Sequence, residues 1–577
     1  MKRFFSVVVC LYVWQIVYVD CLQCKENIHP LQNKAGFITI EPQTFYFHYG
    51  SHFSRLMLRS SEARIWYSFH PADRKSAEKP LFVFFNGGPG SASSSGLMSM
   101  NTSRFTLDNR IEGGGNAYMK NPNPWTRLGN LLYIDARQTG FSYNLMNNVH
   151  DFDSRFREFN SQNFNPFFDA ADFIRVILHL FHNHPELKPN PVIIVGESYG
   201  GTRATVMLHI LLNYADYGNG NEMYQDEALG AELQAHFDAV FPEFRDQIVP
   251  PEVISRQFGQ QILIQPALSY GYQSQITDDM LLAPGGLIDQ LEQETGILYD
   301  PDMHSDPLTF ISDVAGRDVY IFTKPRDWLT SFFNNAARLL RTTQNLGIIT
   351  GTDVTAIPQL YASSRSNAYR IFDTDYAFEL MPDDTSHRIK SLFLYPAQKE
   401  AQNITQEPGD MSAVFGTLQP WDRYFLSTNY HANWAFHVLN VAKVRGYEVN
   451  IDDARYGDMF LQNVAHVDTF ITNAALDLVV YSAAIPPSLA RHDSIIESIL
   501  HAESSPPGEE RPGQIILNYR PGAFPGIQGL DTRIIRFPLY ASSCHAVSLT
   551  QPEELFSDIV RWLKQKSLDL DESIMPD

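Results

Sequence analysis

The chain has 577 residues, of which 44% are hydrophobic and 19% charged, and its formal net charge at pH 7 is −21. This composition is typical of a folded globular protein and excludes a disordered, collagen-like or coiled-coil chain. At roughly 150 residues per domain the length allows one large domain with insertions, or several small domains. The negative charge repels nucleic acid at long range, so we expect no nucleic-acid partner.

The first 22 residues have the pattern of an export signal. Lys2 and Arg3 precede residues 4–19, which carry no charge. A helix of that length spans about 24 Å, short of the hydrocarbon core of about 30 Å, which favours a secretory signal peptide. The small residues of a usual cleavage site are missing, so an uncleaved anchor and lipidation at Cys21 stay open. We expect a secreted or periplasmic protein, lysosomal or vacuolar in a eukaryote, with membrane contact only through this segment.

Buried strands alternate with helical patterns over residues 30–214. Strands are predicted at 64–69, 81–85, 130–135 and 191–195, and a helix at 167–182. Continuous apolar strands separated by helices indicate a parallel sheet with both faces covered. Polar or Gly-rich loops follow three of these strands, which is where α/β sheets bind ligands. This segment is therefore interpreted as the first part of an α/β core.

Residues 215–444 are interpreted as a helix-rich cap inserted into that core. Amphipathic helices are predicted at 226–244, 278–295 and 331–341, and no strand rhythm is evident among them. Alternation resumes in 445–577, with helices predicted at 458–464 and 552–566 and strands at 467–472 and 533–539. The Ser-, Pro- and Glu-rich stretch 503–513 is predicted to be an exposed loop. The two core segments would complete one mostly parallel α/β sheet.

The strongest local motif is Gly196-Glu-Ser-Tyr-Gly200, a G-x-S-x-G between a predicted strand and a helical pattern. The glycines permit a sharp turn that lifts the Ser198 hydroxyl above the sheet, where a base can reach it. A tight turn with a capping serine is the alternative without catalysis. The strand before the motif and the helix after it favour a nucleophile.

A nucleophilic serine needs a base, and an acid must hold that base in one tautomer. On a turn of this kind the partners follow in the order Ser, Asp, His. Asp477 comes just after the predicted strand 467–472, and His545 comes after the strand 533–539. Asp468 is the main competitor for the acid, but it lies at the start of its strand, the wrong end of the sheet.

The run Asn86-Gly-Gly-Pro-Gly90 follows another predicted strand. Glycines there let backbone N–H groups approach a developing oxyanion, together with the N–H of Tyr199. A phosphate-binding loop is the alternative, but the run lacks the Lys and the GKS/T ending. No metal-ligand spacing and no dinucleotide fingerprint is evident, so we expect an enzyme without metal or cofactor.

Together these motifs resemble the serine carboxypeptidase family of α/β hydrolases. The matching stretches lie in both core segments, at 84–93, 123–143, 196–201 and 545–547. The resemblance implies an α/β-hydrolase fold, mostly parallel, with helices on both faces and a large helical cap. The implied catalytic and oxyanion-hole residues are Ser198 (nucleophile), His545 (base), Asp477 (acid), Gly88 and Tyr199.

The resemblance also implies that Asn86, Gly87 and Glu197 bind the terminal carboxylate of a peptide substrate. A carboxyl group beside a substrate carboxylate is unfavourable unless the two share a proton, so acidic pH should favour binding. Departures from the family pattern include Ser91 in place of a Cys and Arg203 in place of a Tyr. These departures indicate a divergent branch, for which a bacterial source is one interpretation.

Three functions remain open on this evidence. The first is an exported serine-type carboxypeptidase that acts on peptides with a free C-terminus through an acyl-enzyme on Ser198. The second is a serine esterase or acyltransferase with the same nucleophile. The third is a binding module that keeps the fold with an inactive site, which the ordered Ser198, Asp477 and His545 argue against.

Overall fold

The computed structural model describes residues in the range 31–566, with gaps. The described residues are 31, 32, 34–47, 56–60, 62–87, 93, 96–107, 118–137, 142–144, 166–268, 273, 281, 282, 287–304, 307, 310, 314, 441–444, 447–450, 453–475, 477, 480–502, 511, 513–524, 527, 529–540, 543 and 545–566. The predicted signal segment 1–22, the predicted helix 331–341 and most of the predicted loop 503–513 lie outside them.

Strands are found on both sides of the segment predicted to be a cap, and also within it. They are β1 (Lys34–Ile40), β2 (Thr44–Phe47), β3 (Leu56–Arg59), β4 (Ala63–His70), β5 (Leu81–Phe85), β6 (Phe105–Leu107), β7 (Tyr118–Lys120), β8 (Asn130–Ile134), β9 (Tyr143–Asn144), β10 (Val192–Glu197), β11 (Tyr224–Gln225), β12 (Gln260–Ile264), β13 (Val441–Val444), β14 (Tyr447–Asn450), β15 (Asp468–Ile471), β16 (Asn473–Ala474), β17 (Ile496–Ala502), β18 (Gln514–Tyr519), β19 (Thr532–Arg536) and β20 (Leu539–Tyr540).

The helices of the described residues connect these strands. They are α1 (Pro166–Asn183), α2 (Gly200–Leu212), α3 (Tyr214–Asn219), α4 (Glu227–Val240), α5 (Pro251–Ile254), α6 (Leu287–Thr295), α7 (Asp453–Val464), α8 (Ile485–Leu489), α9 (Val547–Thr550) and α10 (Pro552–Gln565). None of the described helices is long and apolar enough to cross a membrane.

The central sheet has the strand order β1-β4-β8-β5-β10-β12-β15-β19-β18-β17, and β9 pairs with β4 outside this path. Neighbouring strands are parallel from β8 to β19. They are antiparallel on both sides of that run. The carboxyl ends of the parallel strands therefore meet at one edge, where α/β sheets place their ligand sites. The prediction of a mostly parallel α/β sheet is confirmed.

Short strand pairs lie beside the central sheet. Strands β11, β2 and β3 form a three-stranded sheet, and β16 pairs in parallel with β20. The pairs β6–β7 and β13–β14 are antiparallel. The β16–β20 pair extends β15 and β19 toward the segments that carry Asp477 and His545.

Both faces of the central sheet are covered, as the continuous apolar strands predict. In β5, Leu81, Val83 and Phe85 belong to one apolar cluster, whereas Phe82 and Phe84 belong to the other. All five side chains are fully buried. Residues of α1, α2 and α7 complete the first cluster, and residues of α10 complete the second. The alternation of side chains along each strand thus divides the core into two layers.

The strand β12 differs from the sequence interpretation, which took 215–444 as a helix-rich cap without strands of the central sheet. It lies inside the central sheet, parallel to both β10 and β15. Its uninterrupted apolar run is only Ile262-Leu-Ile264, flanked by Gln261 and Gln265. Such a short run carries no strand signal of its own. The hydrogen bonds from two neighbouring strands and the burial between them hold it in the sheet.

Candidate active site

Ser198 occupies a sharp turn between β10 and α2. Its φ of 59° lies in the left-handed region, a conformation that costs a residue other than glycine about 1–3 kcal/mol. The turn is fastened to the end of β12, because Ser198 N–H donates to the Ile264 carbonyl (3.0 Å) and its carbonyl accepts from Ala267 N–H (2.8 Å). A Cβ at Gly196 would lie 2.4 Å from the carbonyl oxygen of Gly200. The glycine of the motif is therefore required by contact within the turn.

Asp477 and His545 meet above the β16–β20 pair. The Nδ1 atom of His545 lies 2.8 Å from Oδ2 of Asp477. Asp477 is fully buried, and the side chain of His545 is 12% exposed. The competing acid Asp468 lies at the start of β15, where its carboxylate pairs with Lys566 at 2.7 Å and is 42% exposed. Of the two candidate acids, the structure thus places Asp477 against the imidazole.

The pKa of His545 reflects the charges around it. Burial lowers it, but the charge of Asp477, the hydrogen bond to Asp477 and the charge of Glu197 together raise the pKa to about 9. Ser198 follows β10, Asp477 follows β16 and His545 follows β20, and the strands from β10 to β19 and the β16–β20 pair are parallel. The structure therefore brings the predicted base, acid and nucleophile to the same edge.

Asn86 and Glu197 form a buried polar pair next to Ser198. The Nδ2 group of Asn86 donates to Oε1 of Glu197 at 2.7 Å, while Oδ1 of Asn86 accepts from Leu97 N–H at 2.7 Å. Burial, with a smaller contribution from Asp477, raises the pKa of Glu197 to about 7 against the lowering effects of His545 and Asn86. Among the residues that the structure describes, Oε2 of Glu197 has no hydrogen-bond partner.

Gly87 lies where the loop after β5 crosses the first turn of α2. A Cβ at this position would lie 2.3 Å from the backbone nitrogen of Tyr199 and 2.7 Å from Cβ of Ser198. Only a residue without a side chain fits there, so the backbone of this loop approaches the Tyr199 N–H closely. Gly88 lies outside the described residues, and its place in the oxyanion hole stays a prediction.

An ion pair beneath this loop was not predicted from the sequence. Arg203 of α2 donates from Nε to Oδ2 of Asp169 in α1 (2.7 Å) and from Nη1 to the carbonyl oxygen of Asn86 (2.5 Å). Both side chains are 1% exposed, and the guanidinium lies over the ring of Phe173 at 4.5 Å from its centroid. Arg203 therefore ties two helices to the loop that carries Asn86. Its one signal in the sequence is that Arg203 departs from the family pattern.

Gln265 is a second residue that the sequence interpretation missed. Its Nε2 group donates to Oδ2 of Asp477 at 2.9 Å, from the turn that follows β12. The missed strand β12 explains this omission, because Gln265 lies at a strand end only once β12 is part of the sheet. No cluster of three or more potential metal ligands occurs in the described part of the chain.

The sheet order and the strand–turn–helix at Ser198 define an α/β hydrolase. The chain matches the serine carboxypeptidase family over residues 42–224. This match is to the same family that the motifs resemble, and it covers about a third of the chain.

Curated relatives match over short stretches. Serine carboxypeptidase 3 of Triticum aestivum is 33% identical over 141 residues, 24% of this chain and 24% of the relative. Serine carboxypeptidase-like 41 of Arabidopsis thaliana is 26% identical over 218 residues, 37% of this chain and 43% of the relative. The chain thus matches less than half the length of these relatives. A solved prohormone-processing carboxypeptidase of Saccharomyces cerevisiae aligns with 93% of this chain and 91% of its own, at 12% identity and a TM-score of 0.39.

We expect Arg203→Met to destabilise the fold strongly, because it leaves the buried carboxyl group of Asp169 without its counter-ion. Removing one partner of a buried ion pair costs about 3–5 kcal/mol in the free energy of unfolding, which urea denaturation measures. The double variant Arg203→Met with Asp169→Leu should recover more than half of that loss. A loss below about 1 kcal/mol in the single variant, the range of an exposed pair, would contradict this interpretation.

Proposed function

We propose that this protein is a serine-type carboxypeptidase that removes C-terminal residues from peptides through an acyl-enzyme on Ser198. The observation that carries the proposal is the buried pair of Asn86 and Glu197 beside the nucleophile. Cleavage of a simple ester needs the nucleophile, base and acid, but it has no need of a buried acid with a free oxygen. A substrate that ends in a carboxylate does need such a group. The family match over residues 42–224 supports the same activity.

In the proposed reaction the Ser198 hydroxyl attacks the last peptide carbonyl and forms a tetrahedral intermediate. His545 accepts the serine proton and passes it to the leaving amine, while Asp477 holds the Nδ1–H of the imidazole. The N–H groups of Tyr199 and Gly88 stabilise the oxyanion. Water, activated by the same imidazole, then hydrolyses the acyl-enzyme and releases the shortened peptide.

The substrate carboxylate is recognised in this proposal by Glu197 in its protonated form. The carboxyl group donates from Oε2, the oxygen without a partner among the described residues. Two adjacent carboxyl groups share a proton far more readily than they both ionise. The hydrogen bond from Asn86 to Oε1 holds the Glu197 side chain in place for this contact. Gly87, in the same loop as Asn86, would add its backbone N–H.

Export from the cytoplasm stays a prediction.

The first test compares an N-blocked dipeptide that has a free C-terminal carboxylate with its C-terminal amide at pH 5. The amide cannot share a proton with Glu197, and a buried Oε2 left without a partner costs about 1–3 kcal/mol. At about 1.4 kcal/mol per factor of ten, we expect kcat/KM to favour the acid by about 10–100-fold. Ser198→Ala should abolish both reactions. Equal turnover of acid and amide, or turnover of simple esters alone, would favour the esterase or acyltransferase.

The second test is the pH dependence of KM for the same free acid. Glu197 is protonated below its pKa of about 7, so KM should be low and flat at acidic pH. Above that pKa both carboxyl groups are ionised, and KM should rise toward tenfold per pH unit. Glu197→Gln keeps a neutral donor at every pH and should remove the rise. A flat wild-type KM from pH 5 to pH 8 would contradict the role of Glu197.

The third test uses a neutral ester, which isolates the imidazole from carboxylate binding. The charge of Glu197 helps to raise the pKa of His545, and only the neutral imidazole acts as a base. We therefore expect Glu197→Gln to move the acid limb of kcat/KM to lower pH. Glu243→Gln is the matched control, because Glu243 is 53% exposed and its charge is screened. An unmoved acid limb in Glu197→Gln would show that the two groups are not coupled.

A further inference from the structure

The fully buried side-chain amide of Gln265 contacts Asp477, the predicted catalytic acid. Gln265 donates from Nε2 to Oδ2 of Asp477 (2.9 Å), and its Oε1 accepts from the Thr472 hydroxyl (3.1 Å) and from Ala474 N–H (2.8 Å). The Thr472 hydroxyl in turn accepts from the backbone N–H of Gln265 at 2.9 Å. The Gln265 side chain is 0% exposed. These bonds leave it a single orientation, with the N–H directed at Asp477.

We propose that Gln265 is the positioning residue of the catalytic acid, an inference that rests on the proposed serine hydrolase chemistry. Oδ2 of Asp477 accepts hydrogen bonds from Nε2 of Gln265 and from Nδ1 of His545. These two donors on Oδ2, with the Val480 N–H that donates to Oδ1 at 3.3 Å, fix the rotation of the carboxylate. The carboxylate then fixes the imidazole, whose orientation decides whether it reaches the serine proton.

The turn that carries Gln265 also holds the nucleophile. Ile264 accepts the N–H of Ser198, and Ala267 donates to the Ser198 carbonyl. Residues 264–267 therefore contact the nucleophile through the backbone and the acid through a side chain. Asp477 follows β16, outside the ladder of the central sheet. The amide of Gln265 is thus a link from the sheet to the acid.

The backbone at Gln265 is unfavourable for a glutamine. Its φ is 46°, a left-handed conformation that glycine adopts without strain and that costs other residues about 1–3 kcal/mol. Burial of an amide adds a desolvation cost unless its hydrogen bonds are made. Glycine would remove the strain and lose the bond to Asp477. The hydrogen bond from its side chain to Asp477 therefore explains a glutamine at this position.

The alternative is that the amide only satisfies Thr472 and Ala474 and stabilises the fold. A matched control lies in the same strand: Gln261 is also fully buried and donates to the Thr469 hydroxyl at 2.9 Å, without contact to the predicted acid. Loss of either amide removes buried hydrogen bonds. Only loss of Gln265 removes a hydrogen bond to Asp477.

The experiment compares the wild type, Gln265→Gly, Gln265→Glu and Gln261→Leu in two reactions, acylation by a fluorophosphonate and hydrolysis of a neutral ester. Both need only the serine, imidazole and acid. A wild type that does not react would overturn the proposed serine hydrolase and, with it, this inference. A reactive wild type keeps the inference testable whether or not peptides are cleaved. Urea denaturation reports the stability of each variant.

We expect Gln265→Gly to lower kcat and the acylation rate by about 10–100-fold. Loss of a residue that orients a group of the active site through a hydrogen bond has effects of this size at metal sites. KM should change less than twofold, and Gln261→Leu should keep the wild-type kcat. Gln265→Glu has the same shape, and at pH 5 a proton shared with Asp477 replaces the amide N–H. It should therefore exceed Gln265→Gly in kcat at pH 5.

Two results would overturn the proposal. One is a kcat for Gln265→Gly within twofold of the wild type. The other is an equal fall of kcat in Gln261→Leu, which would assign the effect to stability alone. If Gln265→Gly does not fold, the isosteric Gln265→Glu decides by its own rates, because wild-type kcat across pH 5–8 would show that the amide is dispensable.

Discussion

The parallel register of β5, β10, β12 and β15 is the constraint on which the site depends. It brings four strand ends to one edge, each followed by a residue of the candidate site or of its support. Asn86 follows β5, Ser198 follows β10 and Gln265 follows β12. Thr472, which donates to the Gln265 side chain, follows β15. The contacts among these residues are made by turns rather than by flexible loops. A change in the register of any one strand would therefore displace a chemical group and not only a packing contact.

Sequence patterns predicted those parts of the structure whose causes are local. Residues 81–85 form a strand because every side chain is buried, so the apolar run is continuous. The turn at Ser198 can be predicted from the sequence because the two glycines that it requires lie within the same five residues, 196–200. The bonds of Gln265 to Asp477 and of Arg203 to Asn86 span sequence separations of 212 and 117 residues. Such contacts form only when the sheet brings distant segments together. The spacing of apolar and polar residues along the sequence therefore does not predict them.

Polar groups buried near this edge are hydrogen-bonded to one another. Arg203 and Gln265, which the sequence interpretation missed, are the partners of several of these groups. A charged or amide side chain that leaves water must be paired, or the fold loses the free energy of its solvation. Arg203 meets that requirement for Asp169 and supports the Asn86 loop at the same time. Gln265 does the same for its turn and for Asp477. The hydrogen bonds by which Arg203 and Gln265 stabilise this edge are thus also the ones that hold Asn86 and Asp477.

The charges of the site act as one unit, because the ionised forms of Asp477 and Glu197 both favour a proton on His545. In the proposed mechanism, the ionised form of Glu197 opposes the reaction in two ways at neutral pH and above: it repels a substrate carboxylate, and it keeps the base protonated. One proton on Glu197 removes both effects. It permits the carboxylate to bind, and it lowers the pKa of the imidazole toward the range in which it accepts the serine proton. Substrate binding and activation of the base are then coupled through a single buried carboxyl group.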